Sequence, residues 1–305
     1  MRQTLAIHPG PLGDVLLAVP ALRVLRSRYP TDAIILAGQV RIGELLVSLD
    51  VVEGHMRFER LGLDQLFAGE PEEDALAPVR AAARVVCWFG SRDPLFARRL
   101  AAIAPDAVVD APWTPDELVW RHLVASVATA AEDADRGPVR VPPELVTEGR
   151  RALEGAGWDG TTPLLIVHPG ASGAAKRWSA EGYAEVLAQV STRARVAIVV
   201  HEGPADHDAV KALRPRLAPG IGTLTNPPLP VLAGALVHAR AFVGNDSGIS
   251  HLASAVGAPS LVLFTSGMRG WEPWSPTATA LVVSMADLYR EDVDAVATAL
   301  ARLLA

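Results

Sequence analysis

Along this chain, short apolar runs rich in β-branched residues alternate with longer stretches whose apolar positions recur every three or four residues. The short runs read as strands and the longer ones as amphipathic helices. In the first half, strands are predicted over 4–8, 33–37, 85–89 and 107–109, and helices over 15–28, 94–103 and 116–129. The second half repeats the rhythm, with strands over 164–168, 195–200, 241–243 and 259–264 and helices over 180–191, 205–213, 229–238 and 247–256. A last amphipathic helix puts Val293, Val296, Leu300, Leu303 and Leu304 on one face. Strand and helix in alternation imply parallel sheets covered on both faces, so the expected class is α/β.

One stretch breaks the pattern. Residues 133–143, DADRGPVRVPP, hold three prolines and a glycine and read as an interdomain linker. A chain of 305 residues fits two domains at a typical ~100–200 residues each. The expected division is 1–140 and 141–286, with residues 287–305 packing back on the first domain.

Composition narrows the function. The 28 Lys and Arg against 34 Asp and Glu give a net charge of −6, which argues against an electrostatically driven nucleic-acid binder. Cys87 is the only cysteine, excluding an intramolecular disulfide and a multi-cysteine zinc cluster. A lone cysteine also fits a reducing compartment. The first residues lack the apolar stretch of a secretory signal, and no run of ~18 apolar residues offers a membrane span. The expected location is therefore the cytoplasm.

Several formal motifs fail on context. Gly155, Gly157 and Gly160 spell GxGxxG, but behind a helical stretch and ahead of a strand, the reverse of a dinucleotide-binding turn. Neither of the two lysines, Lys176 and Lys211, follows a glycine, so there is no P-loop. The D-x-D triplets at Asp133/Asp135, Asp206/Asp208 and Asp292/Asp294 are each weak as metal sites, and no metal is expected.

Three strand-to-helix junctions carry chemistry. In the first, His8-Pro9-Gly10-Pro11-Leu12-Gly13-Asp14, the glycines permit close backbone approach. Asp14 in the first helical turn is either a plain partner of the helix dipole or a base for a bound hydroxyl. In the second, residues 168–179, small residues expose backbone N–H groups beside Ser172, Lys176 and Arg177. Cations at a helix start oppose its dipole unless an anion is present, which favours a phosphate over a solvated basic pair. Trp178 reads as packing. In the third, Asp246 either caps the helix or binds sugar hydroxyls, while Ser247 and Gly248 open a helix N-terminus suited to an anion. His251, one turn in, is either a ligand contact or a satisfied buried imidazole. His8-Pro9-Gly10 and His168-Pro169-Gly170 echo one another at the carboxyl ends of strands, where such sheets bind ligands.

In order and spacing, HPGPLGDVLLAVPALRVLR, HPGASGAAKRW and FVGNDSGISHLASAVGAPSLVLF resemble the ADP-heptose:lipopolysaccharide heptosyltransferases, glycosyltransferase family 9. The resemblance covers essentially the whole chain, to Trp271-Glu272-Pro273-Trp274. It implies a GT-B architecture, two Rossmann-like domains with parallel sheets facing a central cleft, and a donor held mainly by the C-terminal one. It implies metal-independent inverting transfer, without a cofactor, of a heptose or related sugar from an ADP-sugar to a lipopolysaccharide-type or other glycan hydroxyl.

Carried over by residue, Asp14 matches the general base. Ser172 and Lys176, with Arg177 beside them, match the donor-phosphate loop. Asp246, Ser247, Gly248 and His251 match the segment contacting diphosphate and sugar, and Glu202 or Asp206 the ribose carboxylate. His8, Gly10 and Gly13 form the acceptor-side loop, with His8 where relatives commonly carry a basic residue.

Lipid-linked acceptors would imply peripheral contact at the inner face of the plasma membrane. The basic spots at Arg23, Arg26 and Arg28 and at Arg98 and Arg99 fit ordinary solvated faces better. Rival readings are transfer from another nucleotide-sugar and a non-catalytic sugar-nucleotide or glycan-binding module of the same fold. A nicotinamide oxidoreductase would need the glycine fingerprint that is missing.

Overall fold

The computed structural model describes residues 2–68, 74, 76–115, 117–128 and 133–305. The chain forms two compact units, Met1–Arg136 and Gly137–Ala305, divided within the proline-rich segment. Each is built on a parallel sheet, in keeping with the α/β, two-Rossmann-like plan.

The first unit contains β1 (Arg2–Ile7), β2 (Asp32–Gly38), β3 (Gly54–Arg57), β4 (Arg84–Cys87) and β5 (Val108–Val109), in the order β3-β2-β1-β4-β5. The second contains β6 (Leu164–His168), β7 (Ala197–Glu202), β8 (Gly222–Thr225), β9 (Ala239–Asn245), β10 (Ser260–Phe264) and β11 (Ala278–Val282), in the order β11-β10-β9-β6-β7-β8. All neighbouring strands are parallel. Every residue of β6 and β10 is buried, which is why these strands read as unbroken apolar runs.

In each sheet the chain winds outward from its first strand, then crosses to the other side. The crossing points are β1/β4 and β6/β9, and loops leaving adjacent strands there diverge and open a crevice at their carboxyl ends. The predicted chemical junctions follow β1, β6 and β9.

Local signals explain the helices around these strands. Helix Pro94–Ile103 starts with proline, and the Asp93 side chain accepts the Leu95 N–H at 2.8 Å. Ser179 caps helix Ala180–Arg193 by accepting the Gly182 N–H at 3.0 Å. The predicted helix over 15–28 is two, Leu12–Leu17 and Val19–Arg28, parted at Ala18, with Pro20 in the first turn of the second. Helix Val119–Ala125 lies inside the predicted 116–129; Asp116 and Thr129 are outside the described residues. The GxGxxG segment is a turn from helix Pro143–Gly155 into β6, with φ of +99° at Gly157 and +76° at Gly160.

The terminal helix, Arg290–Leu304, belongs to the second unit, whereas the expected division ended that domain at residue 286. Val293, Val296, Ala297 and Leu300 are buried in the second unit's core with Tyr183, Leu187, Val190, Leu261 and Leu263. Its apolar face covers the sheet of its own unit, which would otherwise leave β9 and β10 open to water.

Candidate functional site

At the second unit's switch point, the loop after β6 is fastened to the end of β9 by one side chain. Asn245 is fully buried, and its Oδ1 accepts the Trp178 N–H at 3.0 Å and the Tyr183 hydroxyl at 3.1 Å. Its Nδ2 donates to the carbonyls of Pro169 at 2.8 Å and Gly170 at 3.3 Å. Every hydrogen-bonding position of the amide except extra lone-pair capacity is used, so the loop's path is fixed by a residue that sequence reasoning passed over. The signal was present: a polar residue at the end of an apolar strand, next to the Asp-Ser-Gly turn. Trp178 is buried against Tyr183, as packing.

That fastening brings Lys176 to Asp246. Lys176 Nζ lies 2.7 Å from Asp246 Oδ2, and His251 Nε2 lies 3.6 Å from Asp246 Oδ1. Burial alone would raise the pKa of Asp246, but the hydrogen bonds and charges of His251 and Lys176 outweigh it and hold the carboxyl below its ordinary value. Asp246 does not cap the following helix. Ser247 does, its Oγ accepting the Ser250 N–H at 3.3 Å at the start of helix Gly248–Ala255. Ser250 Oγ donates to the Asn245 carbonyl at 2.6 Å and ties the first turn to the strand. Lys176 is therefore no solvated member of a basic pair. Arg177 takes a different path, its Nη2 donating to the Ala171 carbonyl at 3.3 Å. Ser172 is exposed on the same loop.

Behind the loop lie two histidines. His168 Nδ1 and His201 Nδ1 are 3.1 Å apart, so one donates and the other accepts. Burial pushes His168 down to about 4 and His201 down to about 3, where the neighbouring His168 adds to the effect and Asp206 opposes it. Both are neutral near pH 7. Asp206 is buried beside them; its Oδ2 accepts the Gly203 N–H at 2.9 Å, and a Cβ on Gly170 would sit 1.9 Å from its Oδ1. Only glycine fits there. Glu202 pairs with His207 at 3.1 Å at the same strand end. Among the described residues, His168, His201 and Asp206 are the set whose possible metal-ligating atoms converge, within 4.8 Å. A metal ion there would have to displace the proton that joins the two imidazoles.

The first unit has a cavity of about 550 Å³ at its own switch point, lined from the loop after β1 and the loop after β4. Asp14, in the first turn of helix Leu12–Leu17, faces it together with His8 and Gly10. Gly13 stands one residue before Asp14 in that helix. The Gly10 N–H donates to His8 Nδ1 at 3.3 Å, and a Cβ at residue 10 would meet His8 Cε1 at 2.7 Å. Burial pushes His8 down to about 4, with its backbone hydrogen bond only partly offsetting this. His8 is thus a neutral ring where a cation was the familial pattern.

Other candidates are engaged elsewhere. Asp292 accepts the Ser284 N–H at 2.8 Å and Asp294 pairs with Arg290, so that triplet does not converge. Asp208 is exposed, unlike Asp206. The arginines at 23, 26 and 28 reach the carbonyls of Asp135, Asp50 and Val127, and Arg99 that of Leu66. They clamp loops rather than form a free basic face. No helix among the described residues is long and apolar enough to cross a membrane.

The model of glycosyltransferase family 9 (heptosyltransferase) matches residues 96–293. The chain belongs to glycosyltransferase family 9. The matched span takes in the whole Lys176–Asp246–His251 cluster and leaves out the loop of His8 and Asp14. Over 144 residues the chain is 31% identical to lipopolysaccharide heptosyltransferase 3 of Escherichia coli, an alignment covering 44% of this chain and 40% of that protein. The match thus spans under half the length of this curated relative.

Two solved structures extend the likeness in fold. ADP-heptose lipopolysaccharide heptosyltransferase II of E. coli superposes with a TM-score of 0.73 at 20% identity, over 99% of this chain and 98% of that one. A family 9 glycosyltransferase from Veillonella parvula gives 0.75 at 18% identity, over 99% and 97%.

Proposed function

We propose that this family 9 protein transfers a heptose or related sugar from an ADP-linked donor to a hydroxyl of a lipopolysaccharide-type or other glycan. The observation that carries this reading is the cation held at the second unit's switch point. Lys176 is fixed by Asp246 beside a Ser247-capped helix N-terminus, an arrangement suited to a diphosphate. E. coli relatives named for ADP-heptose transfer support the choice of donor.

In the proposed reaction, Asp14 removes the acceptor hydroxyl's proton as that oxygen attacks the anomeric carbon. The bond to the nucleotide diphosphate breaks with inversion, and the leaving group departs with the electron pair. Lys176, the Ser172 hydroxyl and the N–H groups near Ser247 and Gly248 stabilise its growing negative charge, a role that metal ions play in other transferases. His251 orients Asp246, Arg177 stiffens the loop, and either Glu202 at the end of β7 or Asp206 in the loop after it would meet the ribose. Peripheral attachment to the membrane follows only where the acceptor glycan is lipid-linked.

A thermal-shift titration with ADP, ADP-heptose, UDP, GDP and NAD, with and without magnesium, tests the assignment. A ligand at about 100 times its Kd should add roughly 2.7 kcal/mol of apparent stability. Stabilisation by ADP, and more by ADP-heptose, without magnesium is the expected result. Preference for UDP or GDP would discard the ADP donor, and silence from every nucleotide would point to a non-catalytic module.

A further inference from the structure

The first unit's cavity is walled by aromatic rings. Trp88, Phe89, Phe67 and Trp113 line it beside His8 and Asp14. Trp88 is almost wholly buried and backs this wall, its indole N–H donating to Ser126 Oγ at 2.9 Å. Phe89 is held by ring contacts with Phe58, Phe67 and Phe96 at centroid separations of 4.9, 5.9 and 5.7 Å. A wall fixed in this way presents apolar surface that costs little ordering on binding.

Charge on the same wall is sparse and unfavourable to anions. Arg92 is the one full cation among the described residues that line it, and its guanidinium lies 5.2 Å from the Trp113 ring centroid. Against it stand two carboxylates, Asp14 and Asp93. Asp93 already accepts the Leu95 and Phe96 amides at 2.8 and 3.4 Å. His8 brings a buried ring whose Nε2 has no hydrogen-bond partner among the described residues. A carboxylated or phosphorylated sugar would surrender water for one guanidinium facing two carboxylates. A neutral ring would surrender water mainly from its C–H face, and the aromatic wall replaces that contact.

We infer that this cavity takes the acceptor as an uncharged sugar ring, its C–H face on the wall formed by Trp113, Phe89 and Phe67 and a hydroxyl turned to Asp14, and that it selects against anionic sugars. The inference rests on the proposed role of Asp14 as acceptor-side base. It sets this chain's acceptor apart by chemistry rather than by name.

Binding can be read without turnover. Saturation-transfer NMR on the intact chain would compare methyl glucoside with methyl glucuronide, and likewise the galactose and mannose pairs, whose members differ only in a carboxylate. At least one neutral glycoside should bind about tenfold or more tightly than its uronide, the size of effect expected when one charge is left poorly compensated. Trp113→Ala should remove most of that binding while ADP affinity and thermal midpoint hold. Phe67→Ala, at an exposed rim position, should weaken it less and guards against misfolding of the first variant.

Uronides binding as well as their neutral partners, neutral glycosides unaffected by Trp113→Ala, or no neutral glycoside binding at all would overturn the inference. Loss of ADP binding in the unaltered chain would instead strike the donor reading, because it concerns residues of the other unit.

Discussion

Lys176 and Asp246 are 70 residues apart in the chain and 2.7 Å apart in the fold. The pair joins the loop after β6 to the loop after β9 and holds the Lys176 ammonium next to the Ser247-capped start of helix Gly248–Ala255. Under the proposed function, a donor diphosphate would add a second anionic partner to this ammonium.

Lys176→Ala should therefore weaken ADP binding about ten- to hundredfold, the ~1.5–3 kcal/mol of a charge-assisted hydrogen bond. Calorimetric titration checks it. Unchanged affinity would make Lys176 a structural partner of Asp246 and nothing more.

Asn245→Ala removes four hydrogen bonds and leaves the Trp178 N–H and two carbonyls in a buried place without their partner. The second unit should lose about 3 kcal/mol, lowering its melting temperature by roughly 6–12 °C. Asn245→Asp keeps the accepting oxygen but loses the donor, and should fall between. A melt indistinguishable from the unaltered protein would show that the loop holds without this fastening.

Stability should fall on acidification in a defined window. His8 and His168 are lowered to about 4 and His201 to about 3, whereas an unfolded histidine titrates near 6.5. Between these values the unfolded chain binds protons that the folded chain refuses, so stability rises with pH there. From pH 6.5 down towards 4, each such histidine should cost up to about 1.4 kcal/mol per pH unit. Denaturant unfolding across that range measures the slope, and His201→Gln should make it shallower. A flat profile would mean that these imidazoles are not kept neutral.

Asp14→Asn should cut sugar transfer by roughly 10²–10⁴-fold, the usual contribution of a positioned general base, while ADP binding is retained. Single-turnover rates with the circular dichroism spectrum unchanged would make the comparison clean. Near-normal transfer would return Asp14 to a helix-dipole role.

Chelation by EDTA should leave transfer within about twofold, since a metal that assisted the leaving group would be worth several kcal/mol and orders of magnitude in rate. Metal analysis of the purified chain addresses His168, His201 and Asp206 directly. A stoichiometric ion, or activity abolished by EDTA and restored by one metal, would contradict the proposed mechanism.

Much of this was legible in one dimension. The α/β alternation, the buried central strands and the helix starts at Asp93 and Ser179 follow from periodicity and capping chemistry, which act over a few residues. The strands left unpredicted, β3, β8 and β11, are all at sheet edges. Pairing on one side only, they carry mixed sequences such as GHMR and GTLT, without the apolar run that burial on both faces demands. Chemical candidates were legible for a similar reason: Lys176, Asp246 and Asp14 sit at junctions that alternation alone defines.

The fold decided what those residues do to one another. Sequence offered Asp246 as a helix cap or a ligand contact, and only the meeting of β6 and β9 gave the cap to Ser247 and the carboxylate to Lys176. The terminal helix had a clear apolar face, but which sheet it covered depended on where uncovered apolar surface lay in three dimensions. His8 and His168 share a motif and a strand end, yet their neutrality comes from burial by side chains far along the chain. Local patterns determine elements because backbone geometry is short-range, whereas partners, burial and charge state depend on contacts between segments whose separation along the chain carries no such pattern.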